Sequence, residues 1–240
     1  MNTAVRQTDK LFSAIDWDHV SVDMHEKGYA RVQGVLSGEQ CDEFISNYDI
    51  ARYRKTVTME RHRFGLGEYK YFDYPLPDLV QSAREEIYPR LAPVANEWAE
   101  RLNLDMRYPS SFAEFQAECH EAGQLKPTPL ILKYGPGGFN TLHQDLYGEV
   151  YFPIQLAFFL NEPEVDYTGG EFVLTEQTPR AQSKAIVLKP QKGDMIVFTT
   201  NFRPVKGSKG FYRVNMRHGV SEVLIGERHT LGIIFHDAVS

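Results

Sequence analysis

Cysteine and long apolar runs are both scarce in this sequence. Only Cys41 and Cys119 occur among its 240 residues, without CxxC spacing, so we expect buried thiols rather than a disulfide framework or a thiolate zinc site. No stretch approaches the roughly 18 consecutive apolar residues of a membrane-spanning helix. The first twenty residues contain three aspartates and no continuous apolar segment, unlike a secretory signal. These absences predict a soluble, cytoplasmic protein with no membrane partner.

Internal repeats, low-complexity tracts and Ser/Gly/Pro linkers are also absent. The hydrophobic residues make up 42% of the chain and the charged residues 24%, close to the average for globular proteins. We therefore expect a single domain over residues 1–240, with mainly helical support in residues 1–125 and a β-rich core in residues 126–240.

Positive charge is concentrated although the formal net charge is -6. Residues 51–73 carry a net +3, and residues 203–217 contain five basic side chains and no acidic one. The overall charge argues against indiscriminate coating of nucleic acid, whereas the two basic segments are candidates for local recognition of an anion.

The helices of the first half are predicted from their end signals. A helix over Asp16–Lys27 should stop at Gly28, and Ser37 followed three residues later by Gln40 has the form of a capping box. Apolar spacing predicts further helices over residues 78–102 and 111–121, the first of which Pro89 and Pro93 should kink or divide. Residues 29–35 are typical of a short strand.

From Leu130 onward the sequence consists of short β-rich runs separated by turn residues. The runs are LILKY, VYFPIQLAFFL, GEFVLTE, AIVLKP, DMIVFTT and HTLGIIFH. Six or more strands after helices predict a mainly β fold of the α+β type, in which N-terminal helices buttress an antiparallel sandwich or jelly roll. Such a roll would enclose a pocket.

His143 and Asp145 lie just after the turn-rich stretch GPGGFNTL. In an extended segment alternate side chains share a face, so both groups can point at one metal ion. Together with one further imidazole they would form the facial triad that leaves adjacent positions open on Fe(II). The alternative is a surface turn that carries two polar groups.

Three later histidines could supply the second imidazole, and His218 is the strongest of them. Arg228 follows ten positions later at the start of an apolar strand. A hairpin of that length could return its guanidinium to the inside of the roll, where it would hold a carboxylate by a bidentate, charge-assisted pair. Alternation directs His229 outward, and His236 is expected to be structural.

These residues resemble the metal triad and cosubstrate arginine of the Fe(II)/2-oxoglutarate-dependent dioxygenases. LILKYGPGGFNTLHQD is similar to the loop of the AlkB nucleic-acid demethylases, and Tyr134 matches their cosubstrate tyrosine. The longer match, through GGEFVLTEQ, VNMRHGVS and RHTLGIIFHDA, resembles a bacterial oxygenase family predicted to demethylate damaged DNA bases. The resemblance implies a double-stranded β-helix fold and the cofactors Fe(II), 2-oxoglutarate and dioxygen.

Two positions depart from the AlkB pattern. Ile234 stands where those enzymes have a second arginine, and Leu132 replaces an asparagine. The resemblance therefore implies that Arg228 binds the cosubstrate with help from Tyr134 or Thr230, as in hydroxylases that use a single basic residue.

The candidate substrate residues are Gln155 and four residues near His218 in the basic run, namely Tyr212, Arg213, Asn215 and Arg217. They could bind phosphate and stack a base. The alternative is a solvated hairpin whose arginines pair with the chain's own acidic groups. No catalytic side chain beyond the metal ligands is predicted.

Three functions follow from this pattern. The first is C–H hydroxylation by a dioxygenase, including oxidative demethylation of alkylated nucleobases or another phosphate-bearing substrate, with nucleic acid as the partner. The second is hydroxylation of an amino-acid or protein side chain. The third is a non-catalytic jelly-roll binding module with a structural metal.

Overall fold

A computed structural model describes residues 11–240, in which helices cover one of two facing β-sheets. The helices are α1 (Trp17–Lys27), α2 (Gly38–Ser46), α3 (Asp78–Arg101) and α4 (Phe112–Glu121), and a 3-10 turn spans Met59–His62. The strands of the first half are β1 (Tyr29–Val32), β2 (Tyr53–Thr58), β3 (Gly65–Leu66) and β4 (Glu68–Phe72).

The strands of the second half follow in close succession. They are β5 (Leu130–Tyr134), β6 (Phe139–His143), β7 (Ile154–Phe159), β8 (Tyr167–Gly169), β9 (Phe172–Gln177), β10 (Lys184–Leu188), β11 (Met195–Thr199), β12 (Phe202–Gly207), β13 (Gly210–Val220), β14 (Val223–Gly226) and β15 (Arg228–Ile233). The major sheet has the order β1-β11-β7-β15-β5-β4-β2. The minor sheet has the order β10-β9-β13-β6-β3, with β12 paired to β13, and β14 pairs with β8. The pairing is antiparallel throughout these sheets.

Period-two alternation along the major sheet separates two hydrophobic cores. On β7, Leu156 and Phe158 belong to the core shared with the helices, whereas Ala157 and Phe159 belong to the core between the sheets. A strand that is buried on both faces reads as a continuous apolar run, which explains the sequence of β7. The α+β jelly roll buttressed by helices is confirmed.

The end signals of α1 and α2 act as predicted. Gly28 ends α1 in the left-handed conformation, with φ of 78°. The Ser37 side chain accepts a hydrogen bond from the Gln40 backbone N–H, and the Gln40 side chain caps the Ser37 N–H in return. Both ends follow from local chemistry that needs no tertiary contact.

Of the two expectations for the third helix, a kink or a division, the division is wrong, because α3 continues through Pro89 and Pro93. The two prolines are four residues apart and share the solvent-facing side, where Pro93 is exposed. The opposite face is buried, including Ile87 and Trp98, and its packing holds the helix together.

The N-terminal region contributes more strands than the sequence indicated. The predicted strand β1 adds to one end of the major sheet, and the unpredicted strands β2 and β4 add to the other end, between helices that make up more of residues 1–125 than the strands do. The β2 sequence YRKTVT has exposed Lys55 and Thr56 at its centre, which fits the edge position of this strand and conceals its β character.

Both cysteines are buried free thiols, as predicted. Burial raises the pKa of each to about 11, so neither carries a reactive thiolate near neutral pH. Within residues 11–240, no helix combines the length and the apolar character needed to cross a membrane.

Two histidines outside the candidate triad are buried in structural positions. His229 is 3% exposed and packs edge-on against Tyr48 at 5.4 Å between ring centroids, so it faces away from the interior of the roll but is not on the surface. His236 accepts a hydrogen bond from the Phe152 N–H on Nδ1 at 3.2 Å, and its Nε2 has no partner.

His236 should make stability depend on pH. Burial lowers the pKa of His236 to about 4, so its contribution is complete above about pH 6.5 and is lost as the pH falls toward 4. Asparagine offers the Phe152 N–H an acceptor but does not titrate. When the pH falls from 7 to 5, the free energy of unfolding should therefore decrease by roughly 1–2 kcal/mol less in His236→Asn than in the wild-type protein. Urea denaturation at both pH values measures this difference, and equal losses in the two proteins would contradict it.

Candidate active site

Strand pairing brings the three predicted metal ligands together inside the roll. His143 ends β6 and lies opposite His218 on β13, with 4.1 Å between the ring centroids. Asp145 Oδ1 is 3.5 Å from His143 Nε2, and Oδ2 is 3.3 Å from His218 Nε2. One potential ligand atom from each residue lies within 4.8 Å of the others. Two imidazoles and one carboxylate in this arrangement suit a facial site for Fe(II).

Backbone and side-chain hydrogen bonds hold the segment that carries His143 and Asp145. The Gln144 side chain points away from the metal side and donates to the backbone oxygens of Asn201 and Met216 at 2.9 and 2.8 Å. The Asp145 N–H donates to Thr200 Oγ1 at 2.8 Å. The segment is therefore tied to the loop before β12 and to β13, so the two ligands are held against His218.

The electrostatics of the three ligands favour a cation. Burial alone would raise the pKa of Asp145, but hydrogen bonds from His143 and His218 hold it well below its ordinary value. Burial and the neighbouring His143 lower the pKa of His218. His143 Nδ1 lies 2.7 Å from the Thr141 backbone oxygen, and a proton on Nδ1 leaves the Nε2 lone pair for a metal.

Tyr147 and Gln155 orient the Asp145 carboxylate from two sides. The Tyr147 hydroxyl donates to Oδ1 and the Gln155 Nε2 donates to Oδ2, each at 2.8 Å. Gln155 is 4% exposed and its Oε1 has no partner. Partners of this kind orient a ligating carboxylate and tune its metal affinity.

Removing either donor should weaken metal binding about 10- to 100-fold without unfolding the protein. We expect this result for Tyr147→Phe and for Gln155→Leu, measured as the dissociation constant for Co²⁺ or Fe(II) by calorimetry under anaerobic conditions. Tyr151→Phe is the matched control, because its hydroxyl lies in the same loop and contacts Asn201 rather than the triad. Wild-type affinity in both test variants would contradict the orienting role.

Arg228 lies inside the roll, 1% exposed, at the start of β15. Its Nη1 donates to Thr230 Oγ1 at 2.7 Å, while Nε and Nη2 have no hydrogen-bond partner among residues 11–240. The Tyr134 hydroxyl is likewise buried without a partner, and its ring lies 5.6 Å from the Arg228 guanidinium. Unpaired buried polar atoms are costly, so this cluster fits an anionic ligand.

A cavity of about 220 Å³ joins Arg228 to the triad. Arg228, Thr230, Tyr134 and Gln155 all line it, and Ile234 stands on its wall. Its lining also contains six aromatic residues that sequence reasoning did not assign to the site, namely Phe64, Tyr69, Tyr71, Tyr147, Phe172 and Phe198. The alternation in EYKYF, which places both tyrosines of β4 on one face, was the available signal.

The four substrate candidates around β13 do not line the cavity. Arg213, Asn215 and Arg217 are exposed, whereas Val214, Met216 and His218 are buried between them. Tyr212 lies near the hairpin turn and is 38% exposed. Closeness in sequence to His218 does not place a side chain on the same face of a strand, and a substrate contact for these four residues stays a prediction.

The basic segments are partly used inside the protein. Arg203 binds Glu176 through Nε and Nη2 at 3.0 and 2.6 Å, and Arg213 covers the Phe202 ring at 4.0 Å. In the first segment, Lys70 pairs with Asp49 at 2.8 Å. Pairing with the chain's own acidic groups thus accounts for Arg203 and Lys70.

The residues present fit Fe(II) and 2-oxoglutarate. The triad supplies the nitrogen and oxygen donors that Fe(II) accepts in facial sites. Arg228 and Thr230 would hold the distal carboxylate of the keto acid, because the guanidinium has free donors that point into the same cavity. Bound iron would supply the oxidising chemistry with dioxygen, while the protein positions the reactants and excludes water.

The chain matches an oxygenase family and two relatives over most of its length. Residues 67–238 match the model of the Oxygenase-NA family, described as an oxygenase that catalyses oxidative methylation of damaged DNA. Two uncharacterized proteins of Mycobacterium tuberculosis, Rv2227 and MT2286, are each 43% identical over 192 residues, which cover 78% of this chain and 82% of theirs.

Solved structures share the fold at low sequence identity. A Trichoplax adhaerens prolyl hydroxylase, in complex with a peptide fragment of the hypoxia inducible factor oxygen degradation domain, has a TM-score of 0.58 at 11% identity, covering 99% of this chain and 94% of that one. A Pseudomonas putida prolyl-4-hydroxylase has a TM-score of 0.55 at 14% identity, covering 92% and 98%. A 2OG-Fe(II) oxygenase family oxidoreductase of Burkholderia pseudomallei has a TM-score of 0.53 at 15% identity, covering 95% of each chain.

The part of the chain that matches the family contains all the residues that would bind metal and cosubstrate. These are His143, Asp145, His218, Arg228, Tyr134 and Thr230. The expected oxygenase class is confirmed by the family match, and the His-Asp-His site with Arg228 fits the expected cofactors. The chain belongs to the Oxygenase-NA family, and its site contains the residues that a dioxygenase dependent on Fe(II) and 2-oxoglutarate would use.

Proposed function

We propose that this dioxygenase oxidatively demethylates N-alkylated nucleobases in single-stranded nucleic acid. One oxygen atom of dioxygen would enter a methyl C–H bond of the base and the other would enter succinate, as 2-oxoglutarate loses carbon dioxide. The hydroxymethyl group on nitrogen then leaves as formaldehyde and the N–H is restored.

The observation that carries this proposal is the aromatic lining of the cavity beside the triad. Phe64, Tyr69, Tyr71 and Tyr147 contribute flat rings to the space in contact with Asp145 and His143. Phe64 is also 45% exposed, so it stands at the opening. Stacking between flat side chains is how proteins hold an extruded base for chemistry, and the family description names damaged DNA.

Different residues of the chain would bind the cosubstrate, orient the metal ligand and exclude water. Arg228 and Thr230 bind the distal carboxylate of the cosubstrate, and Tyr147 and Gln155 orient Asp145. The tyrosine rings exclude water around the target methyl group, which strengthens the electrostatic contacts in the site.

Formaldehyde release tests the proposal directly. The purified protein with Fe(II), 2-oxoglutarate and ascorbate should release formaldehyde from single-stranded oligonucleotides that carry N-methylated bases, in equal amount to the succinate formed above the background without substrate. Succinate formation that no methylated base increases would reject the proposed substrate class.

The absence of a second cavity arginine favours a second candidate function, hydroxylation of an amino-acid or protein side chain. Ile234 lines the cavity at the position where AlkB enzymes carry their second arginine, which leaves Arg228 with a more apolar surrounding. Incubation with proline-containing peptides separates the two functions, since a hydroxylated peptide gains one oxygen atom without formaldehyde. A jelly-roll module without catalysis would form no succinate with either substrate.

A further inference from the structure

Four consecutive residues at the cavity opening form an exposed aromatic and basic surface, here called the rim platform: Arg61, His62, Arg63 and Phe64. The His62 and Phe64 rings are stacked, with centroids 5.3 Å apart and planes 20° apart. All four residues are exposed, and Phe64 also lines the cavity. The platform therefore extends the aromatic lining of the cavity onto the outer surface.

The rim platform is held in place by the backbone around it. The Phe64 N–H donates to the Met59 oxygen at 3.1 Å, and the Thr141 N–H and Oγ1 both donate to the Phe64 oxygen at 2.9 and 2.8 Å. Gly65 follows with φ of 145°, and a Cβ there would lie 2.1 Å from the Phe139 oxygen. This close approach fixes the platform to β6, the strand that ends at His143.

The charges of the rim platform are free for an external anion. None of the ion pairs found among the described residues includes Arg61 or Arg63. Other cations of the same basic segment differ, since Arg52 pairs with Asp73 at 2.9 Å and Arg54 donates to the Pro127 oxygen at 2.7 Å. Arg61 and Arg63 thus place two cations of the segment without an ion-pair partner among the described residues beside the stacked rings.

We propose that the rim platform binds the nucleotide next to the target base, with the base stacked on His62 and Phe64 and its phosphates held by Arg61 and Arg63. This inference rests on the proposed function and adds a residue-level reason for preferring a single strand. Alternating aromatic and cationic groups match the alternation of bases and phosphates along a single strand, whereas bases in a duplex present no free face.

Two variants and one matched control test the rim platform by fluorescence anisotropy with a labelled single-stranded oligonucleotide that carries one N-methylated base. His62→Ala should raise the dissociation constant about tenfold through lost stacking. Arg61→Gln should reduce the slope of log affinity against log salt by about 0.7, the value for one phosphate on a single strand. Arg90→Gln, which removes an exposed charge from α3 on the far side of the major sheet, should leave both quantities unchanged.

A methylated mononucleoside tests the proposed demethylation separately from the rim platform, because it has no neighbouring nucleotide that could stack on the platform. His62→Ala should demethylate it at the wild-type rate, as measured by formaldehyde release. If the oligonucleotide affinity and salt slope are unchanged in both variants while the wild-type protein releases formaldehyde, the rim platform is wrong and the proposed function stands. If the wild-type protein releases none from either substrate, the proposed function fails and the platform proposal fails with it.

Discussion

Replacing Arg228 with methionine is expected to raise the dissociation constant for 2-oxoglutarate about 100-fold or more. The guanidinium is buried and has two nitrogens without partners, and removing a charged partner from a buried pair costs about 2–5 kcal/mol of binding. Iron binding should be retained, because Arg228 contributes no metal ligand. Calorimetric titration of the Co²⁺-loaded protein with 2-oxoglutarate measures the change in this dissociation constant.

The thermal stability of the same variant provides an internal control. Without cosubstrate the wild-type protein keeps an incompletely paired cation in its interior, so an apolar replacement of similar length should leave the unfolding temperature unchanged or raise it. Arg228→Lys should recover part of the affinity, since lysine keeps the charge but cannot form the two-point contact. A dissociation constant within twofold of wild type in Arg228→Met would remove Arg228 from the cosubstrate site.

Replacing Asp237 with alanine should lower the free energy of unfolding by about 3–5 kcal/mol, because it leaves the buried Arg84 unpaired. Both side chains are 0% exposed, and Arg84 Nη2 lies 2.7 Å from Asp237 Oδ1. Tyr74 and His120 also contact the carboxylate, at 2.9 and 3.0 Å. Urea denaturation at pH 7 measures the loss.

The exposed pair of Lys189 and Glu164 is the matched control for this loss. Their charged atoms are 3.5 Å apart and their side chains are 58% and 66% exposed, so Glu164→Gln should change stability by less than about 1 kcal/mol.

Burial alone would raise the pKa of Asp237, but Arg84 holds it below its ordinary value. Its contribution should therefore be present above about pH 4 and fall as the pH decreases further. A loss under 1 kcal/mol in Asp237→Ala would contradict the role of the pair.

Local signals made much of the fold predictable. Ser37, Gln40 and Gly28 determine helix ends through contacts within a few residues, and the apolar runs after Leu130 predicted six strands of the two sheets. The β2 strand was hidden because its edge position allows charged residues, and the prolines of α3 were overridden by the burial of the opposite helix face. Such tertiary effects do not appear in a local pattern.

The candidate site likewise has some features that the local sequence predicts and others that depend on the tertiary structure. His143 and Asp145 could be paired from their spacing. The choice of His218 depended on the position of Arg228 and on the family resemblance, because 75 positions separate His218 from His143, its partner across the strand pair. The Arg213 and Arg217 side chains face outward because period-two alternation opposes them to His218. Tyr147 was not assigned to the site from the sequence, because its hydrogen bond to Asp145 forms only in the folded loop.

Anaerobic titration of the apoprotein with Fe(II), followed by 2-oxoglutarate, tests the central claim most directly. The wild-type protein should bind one Fe(II) per chain and then develop the visible charge-transfer band of iron chelated by an α-keto acid. Asp145→Ala and His218→Ala should show neither the tight iron binding nor the band. A wild-type protein that binds no Fe(II), or a band of equal intensity in either variant, would contradict a single iron site built from His143, Asp145 and His218.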